Sequence, residues 1–305
     1  MPDKIKVKAV LFTEDEVSDD LYHQALGFVV DEESRAKIKR YYHRADACRS
    51  LIGRLLVQEM LTVERGITFS SGTTGGQDVT FDRTKAGKPL VLSPTLLPSL
   101  AFNITHDNAV IALACCDPTM SSYQAESDEL LVGIDVMKVS LPSKRETLTG
   151  FIEMFREQLT PLEQSSLGLS SPTFTSSSHP PQTPTPAEIL DRFFQIWVLK
   201  EAYTKALGLG LGFDFQRIEY DIPNTVVRVD GKNITAQGFG ERGWRFFRFE
   251  LRHGEEKYVG MVARFEGKEE KGLHVAEGSG RVEVLPLECM AKVEAKDFLQ
   301  RAGGC

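Results

Sequence analysis

The chain has 305 residues, 41% of them hydrophobic, with a formal net charge of -7 and an isoelectric point near 5.5. That length holds one large or two ordinary domains, and the acidic balance excludes general binding to nucleic acid or to an anionic membrane surface. The longest apolar runs, such as Val110 to Cys116, are too short to span a bilayer, and no apolar signal core opens the chain, so a cytosolic protein is expected. Five cysteines without CxxC or Cys/His spacing predict reduced thiols and no zinc site.

In chain order, Ile5 to Phe12 alternates and then turns apolar, which predicts an opening strand followed by an acidic loop. Asp31-Glu32-Glu33-Ser34 has the character of a helix start. Apolar residues then recur at three- and four-residue steps to about Leu61, predicting a long amphipathic helix or a pair of them. Its polar side carries Lys37, Lys39, Arg40, Arg44, Arg49 and Arg54, charges that solvation alone explains unless an anionic ligand meets them. Short strands are expected at Thr68 to Thr73 and Val79 to Asp82, around a Gly72-Thr73-Thr74-Gly75-Gly76 loop that lacks the GK[ST] ending of a P-loop. Arg83-Thr84-Lys85-Ala86-Gly87-Lys88 then concentrates cations in a tight turn, either a phosphate clamp or an ordinary solvated turn.

Polar residues break two strand-like runs at Thr105-His106-Asp107, where a binding loop is placed on many scaffolds. After a linker at 118–128, the apolar strand Leu130 to Met137 contains one anomaly, Asp135, either paired internally or bound to a cation. Residues 151–159 read as helix, and Thr160-Pro161-Leu162-Glu163 as the cap of a short one. The Ser/Thr/Pro-rich stretch 165–187 reads as a disordered insertion. Phe193 to Leu207 is apolar around most of a helical wheel, yet contains Glu201 and Lys205 at i,i+4 on the stripe of Trp197. Spacing alone leaves a helix salt bridge and a ligand site both open. Short strands follow to Phe265, with a hairpin turn at Asp230-Gly231, then a charged run, a strand near Arg281 to Leu285 and a helix from Glu288 to Leu299. Helices followed by short strands imply an α+β packing.

Three segments together resemble the Sfp-type 4'-phosphopantetheinyl transferases. They are Gly87-Lys88-Pro89 with Phe102-Asn103-Ile104-Thr105-His106, then Gly133-Ile134-Asp135-Val136, and finally Trp197 to Gly208, which fits W-x-x-K-E-[AS]-x-x-K in full. Val132 to Lys138 is most similar to the eukaryotic broad-acceptor subgroup. The resemblance implies an α+β fold of two similar α/β halves related by a pseudo-twofold, here 1–130 and 131–267, with 268–305 as an extension of unassigned role. It implies that the chain, as a monomer, transfers phosphopantetheine from coenzyme A to a serine of acyl or peptidyl carrier domains. Acceptors would come from fatty-acid, polyketide and nonribosomal-peptide synthases or aminoadipate reductase. The alternative is a non-catalytic coenzyme-A-binding protein that docks carrier domains.

Residue by residue, the resemblance implies that Lys37, Ser50, Arg83, Lys85, Gly87, Lys88, Asn103, Thr105 and His106 hold coenzyme A. It makes Asp135 and Glu201 magnesium ligands and Lys205 a phosphate contact; Glu201 is the candidate base, acting either directly or through metal-bound water. Such hard oxygens and cations suit phosphoryl transfer, which depends on positioning and charge neutralisation. Where the bacterial pattern has a second acid, two residues after the first, this chain has Met137, a poor magnesium ligand. Asp107 is the expected compensating acid, with a backbone-capping role as the alternative.

Overall fold

A computed structural model describes residues 5–69, 79–83, 89–93, 100–116, 129–169, 184–236, 243–267 and 280–302. They fall into two compact units, one of residues 1–125, 132–134 and 285–305, the other of residues 126–131 and 135–284.

The first unit opens with β1 (Ile5–Leu11), then α1 (Asp19–Gly27), α2 (Glu32–Ile38) and α3 (Arg44–Arg65). A hairpin of β2 (Thr80–Arg83) and β3 (Pro89–Ser93) precedes β4 (Ala101–Asp107) and β5 (Val110–Cys116). The expected acidic loop contains α1, because Ser18 caps it by accepting the Leu21 amide and Asp19 and Asp20 fill its first turn. The expected long helix is a pair. Asp31 caps α2 through the amides of Glu33 and Ser34, and His43 begins α3. Leu51, Ile52, Leu55 and Leu56 of α3 are buried with Ile111 and Leu113 of β5, the i, i+1, i+4, i+5 stripe of a helix laid on a sheet. Thr68 and Phe69 are not in a strand, and residues 70–78 lie outside the described residues, as do residues 84–88 of the basic turn and the whole linker 118–128.

The second unit contains most of β6 (Glu129–Lys138), then α4 (Leu148–Glu153), α5 (Pro161–Ser166) and α6 (Pro186–Leu207). The strands β7 (Ile218–Asp221), β8 (Val226–Val229) and β9 (Lys232–Asn233) form one small sheet. β10 (Gly243–His253), β11 (Glu256–Gly267) and β12 (Glu283–Val284) join β6 in the order β12-β10-β11-β6. α6 starts seven residues before Phe193. Thr185 and Glu188 form a reciprocal capping box with Pro186 in the first turn, so the helix is nucleated from inside the Ser/Thr/Pro stretch. The two ends of that stretch are therefore helical, Ser165 and Ser166 ending α5 and Pro186 opening α6, while 170–183 lie outside the described residues. Gly208 closes α6 at φ 71°, a left-handed geometry that glycine adopts without steric cost. Tyr203 of α6 meets Trp244 of β10 at 4.5 Å between ring centroids, in a core with Phe246, Met261 and Phe265.

The C-terminal segment departs most from expectation. In place of one helix from Glu288 to Leu299, a 3-10 turn leads into β13 (Met290–Glu294), and α7 (Ala295–Arg301) follows. β13 pairs in parallel with β1, completing a sheet in the order β13-β1-β5-β4. Val293 and the turn into Ala295 satisfy strand and helix in succession, a change of period that a single helical reading averages out. No helix among the described residues is long and apolar enough to cross a membrane.

Candidate active site

In the second unit, β6 and α6 bring three of the predicted residues together. Asp135 is 4% exposed, its neighbours Ile134 and Val136 are fully buried, and its Oδ1 accepts from Lys205 Nζ at 2.5 Å. Asp135 is thus paired internally, a buried carboxylate with the Lys205 ammonium as its partner. On α6 the i, i+4, i+8 stripe of Trp197, Glu201 and Lys205 is the partly exposed face of a helix whose other faces are almost wholly buried. Trp197 fills the foot of that stripe, edge-on to Phe155 at 5.0 Å and to Phe215 at 5.5 Å. Burial pushes the Glu201 carboxyl above its ordinary range, the negative charge of Asp135 raises it further, and Lys205 opposes both.

A carboxyl whose proton affinity is raised by burial and by a neighbouring carboxylate is a group that a divalent cation would relieve. No group of three or more His, Cys, Asp and Glu suited to a metal occurs among the described residues. Carboxylates are the hard-oxygen donors that magnesium takes one or two at a time, with water and substrate phosphate completing its shell. Met137, at the place of the missing acid, packs against the hydrophobic cluster of this unit.

In the first unit, α2, α3, β4 and β5 enclose a cleft of about 450 Å³. Lys37 and Ser34 enter from α2, Ser50, Arg49 and Arg54 from α3, and His106 from the end of β4. Lys37, Ser50 and His106 are the residues expected there; Arg54 is, in sequence, one cation among six. It stands one helical turn after Ser50, with Gly53 between. A Cβ on Gly53 would stand 3.2 Å from Ile104 Cδ1, so a side chain at this position would crowd the cleft wall. Arg54 is held by Ser34 Oγ and lies 3.6 Å from Asp31. Arg49 donates from Nε to the carbonyl of Asn108 at 2.7 Å, fastening α3 to the turn that follows His106 and Asp107.

Thr105 is buried, and Asp107 is half-buried at the end of β4. Asn103 is buried, and its Oδ1 accepts from the Ile134 amide at 3.0 Å, so this oxygen serves the backbone. Of the expected basic turn, Arg83 ends β2, while Lys85, Gly87 and Lys88 lie outside the described residues.

Two family models match the chain: "4'-phosphopantetheinyl transferase, N-terminal" over residues 16–117, and "4'-phosphopantetheinyl transferase superfamily" over residues 131–259. A protein of Paxillus involutus, 4'-phosphopantetheinyl transferase pptA, is 39% identical over 267 residues, covering 86% of this chain and 88% of the relative. The chain belongs to the 4'-phosphopantetheinyl transferase superfamily. A rat relative, L-aminoadipate-semialdehyde dehydrogenase-phosphopantetheinyl transferase, is 28% identical over 71% of this chain and 62% of its own length. The 4'-phosphopantetheinyl transferase of Bacillus subtilis is 28% identical over 60% of this chain and 62% of its own. This transferase therefore moves the 4'-phosphopantetheine group of coenzyme A, its co-substrate, onto carrier-protein domains. That decides for the enzyme over a non-catalytic coenzyme-A-binding protein.

Proposed function

We propose that this transferase works with magnesium held by Asp135 and Glu201, and that Lys205 faces the pyrophosphate of coenzyme A. The observation that carries the reading is the cluster itself: a buried acid, a second acid with a raised proton affinity and a cation, on one strand and one helix. Bound magnesium would neutralise phosphate charge. Glu201 as carboxylate would take the proton of the acceptor serine as its oxygen forms a bond to the β-phosphorus. The bridging phosphorus–oxygen bond then breaks and adenosine 3',5'-bisphosphate leaves. Lys205, whose ammonium donates to Asp135, would supply positive charge toward the phosphates.

The cations of the cleft, Lys37, Arg49 and Arg54, suit the nucleotide phosphates, with Ser50 and His106 as further polar groups; Thr105, buried on β4 between Ile104 and His106, does not line this cleft. Asp107 is the candidate acid that compensates for Met137. Asp107→Asn is expected to raise the magnesium concentration for half-maximal rate about tenfold; an unchanged magnesium dependence removes the assignment. The names of the vertebrate relatives make an aminoadipate-reductase carrier the first acceptor to test. Incubation with coenzyme A, magnesium and a panel of apo carriers, read by mass spectrometry, should add one phosphopantetheine to a carrier. Chelation should stop the transfer and added magnesium restore it; transfer that survives chelation would refute the metal reading.

A further inference from the structure

Beside the site, and outside the roles assigned above, lies a wholly enclosed ion pair. Lys200 of α6 and Glu163 of α5 have side chains 1% and 0% exposed, with Nζ and Oε2 2.6 Å apart. Lys200 Nζ also donates to the carbonyls of Gln158 at 2.8 Å and Phe215 at 3.0 Å. Three acceptors around one nitrogen require three N–H donors, which only the ammonium form supplies. Glu163 in turn accepts from the amides of Thr160 at 2.8 Å and Tyr220 at 2.9 Å, and from Lys200, as a carboxylate does. Burial pushes the acid up and the amine down, while their mutual attraction holds both charged.

The node ties four stretches to α6: the turn before α5, α5 itself and the turn before β7 bond directly to Lys200, and β7 is joined through Glu163. Stability alone does not account for it, since an apolar pair of similar volume is often as stable as a buried ion pair or more so. What an apolar pair lacks is direction. Lys200 immediately precedes Glu201, and successive helical residues are about 100° apart. Fixing Lys200 on the inward side therefore sets where Glu201 and Lys205 point.

We propose that Lys200 and Glu163 are a positioning pair for the transfer reaction, fixing the rotation and height of α6 so that Glu201 and Lys205 meet their ligands. The proposal rests on the roles given above to Glu201 and Lys205. The test is Lys200→Met/Glu163→Met in the full chain, with Glu201→Gln alongside. Cooperative urea unfolding, coenzyme A affinity by calorimetry, and kcat on an apo carrier are read for each. The double variant is expected to unfold cooperatively and bind coenzyme A within about threefold of wild type, but to lose roughly 10²-fold in kcat, the scale of a 1 Å misplacement. A folded double variant with wild-type kcat overturns the proposal. Should the double variant not fold, Glu163→Gln, which keeps the side-chain shape and removes the charge, is judged by the same kcat criterion; failure of both to fold assigns the pair to folding alone and also overturns it. Glu201→Gln separates the two levels. Wild-type transfer by that variant refutes the site reading, whereas an inactive Glu201→Gln beside a fully active double variant refutes only the positioning role.

Discussion

Glu201→Gln should lower kcat on any apo carrier by about 10²- to 10⁴-fold, the usual contribution of a positioned acid–base group, while coenzyme A still binds. The substitution keeps the shape of the side chain and its place on the stripe with Trp197 and Lys205. It removes a negative charge from beside Asp135, whose own charge raises the proton affinity of Glu201. The apo protein should therefore be no less stable than wild type, because repulsion between two carboxylates is relieved. Loss of activity without loss of stability is the signature expected of a functional group. A variant that keeps more than about a third of wild-type kcat would assign the proton to another acceptor, since a factor so small is below any general-base contribution.

The parts of this arrangement differ in how legible they are from sequence. Asp135, Glu201 and Lys205 stand out because each is a charge set in an apolar strand or helix, and the structure places them within one cluster. Lys200 is legible only as the K of W-x-x-K-E, with nothing in the sequence to mark it as the most deeply buried charge of α6. Lysine next to glutamate on a helix reads as solvated polarity, and its partner Glu163 already has a local explanation as the last member of a capping box with Thr160. A partner 37 residues away cannot be inferred from either residue's own neighbourhood. Arg54 is hidden differently. Six cations on one helical side are alike in sequence, and only the enclosing walls from α2 and β4 show which of them line a cleft. The helix α1 is legible through Ser18 and the acids after it, but those acids in a polar segment also suit a loop.

Phe298→Ala should destabilise the first unit by about 3–5 kcal/mol, an effect larger than its distance from the matched family segments would suggest. Phe298 is 3% exposed and Leu299 1%, both in the same hydrophobic cluster as Leu26, Leu51 and Leu55. The Lys8 ammonium lies 5.3 Å from the Phe298 ring centroid, while the same ammonium pairs with Glu59 of α3. Removing the ring therefore opens a cavity and strips one wall from that cation. β13 adds a second dependence. It covers the edge of β1 from Val7 to Leu11, and an edge so apolar, left bare, is a template for pairing with another chain. Deleting 285–305 removes strand and helix together and should leave a protein that aggregates. Leu287→Ala, at a side chain 90% exposed, should change stability by less than about 0.5 kcal/mol and so serves as the control in the same segment. Urea titration of the two point variants decides the matter: a Phe298→Ala loss below about 1 kcal/mol would mean that the cluster closes over the gap, and that the C-terminal helix is not a structural part of the first unit's core.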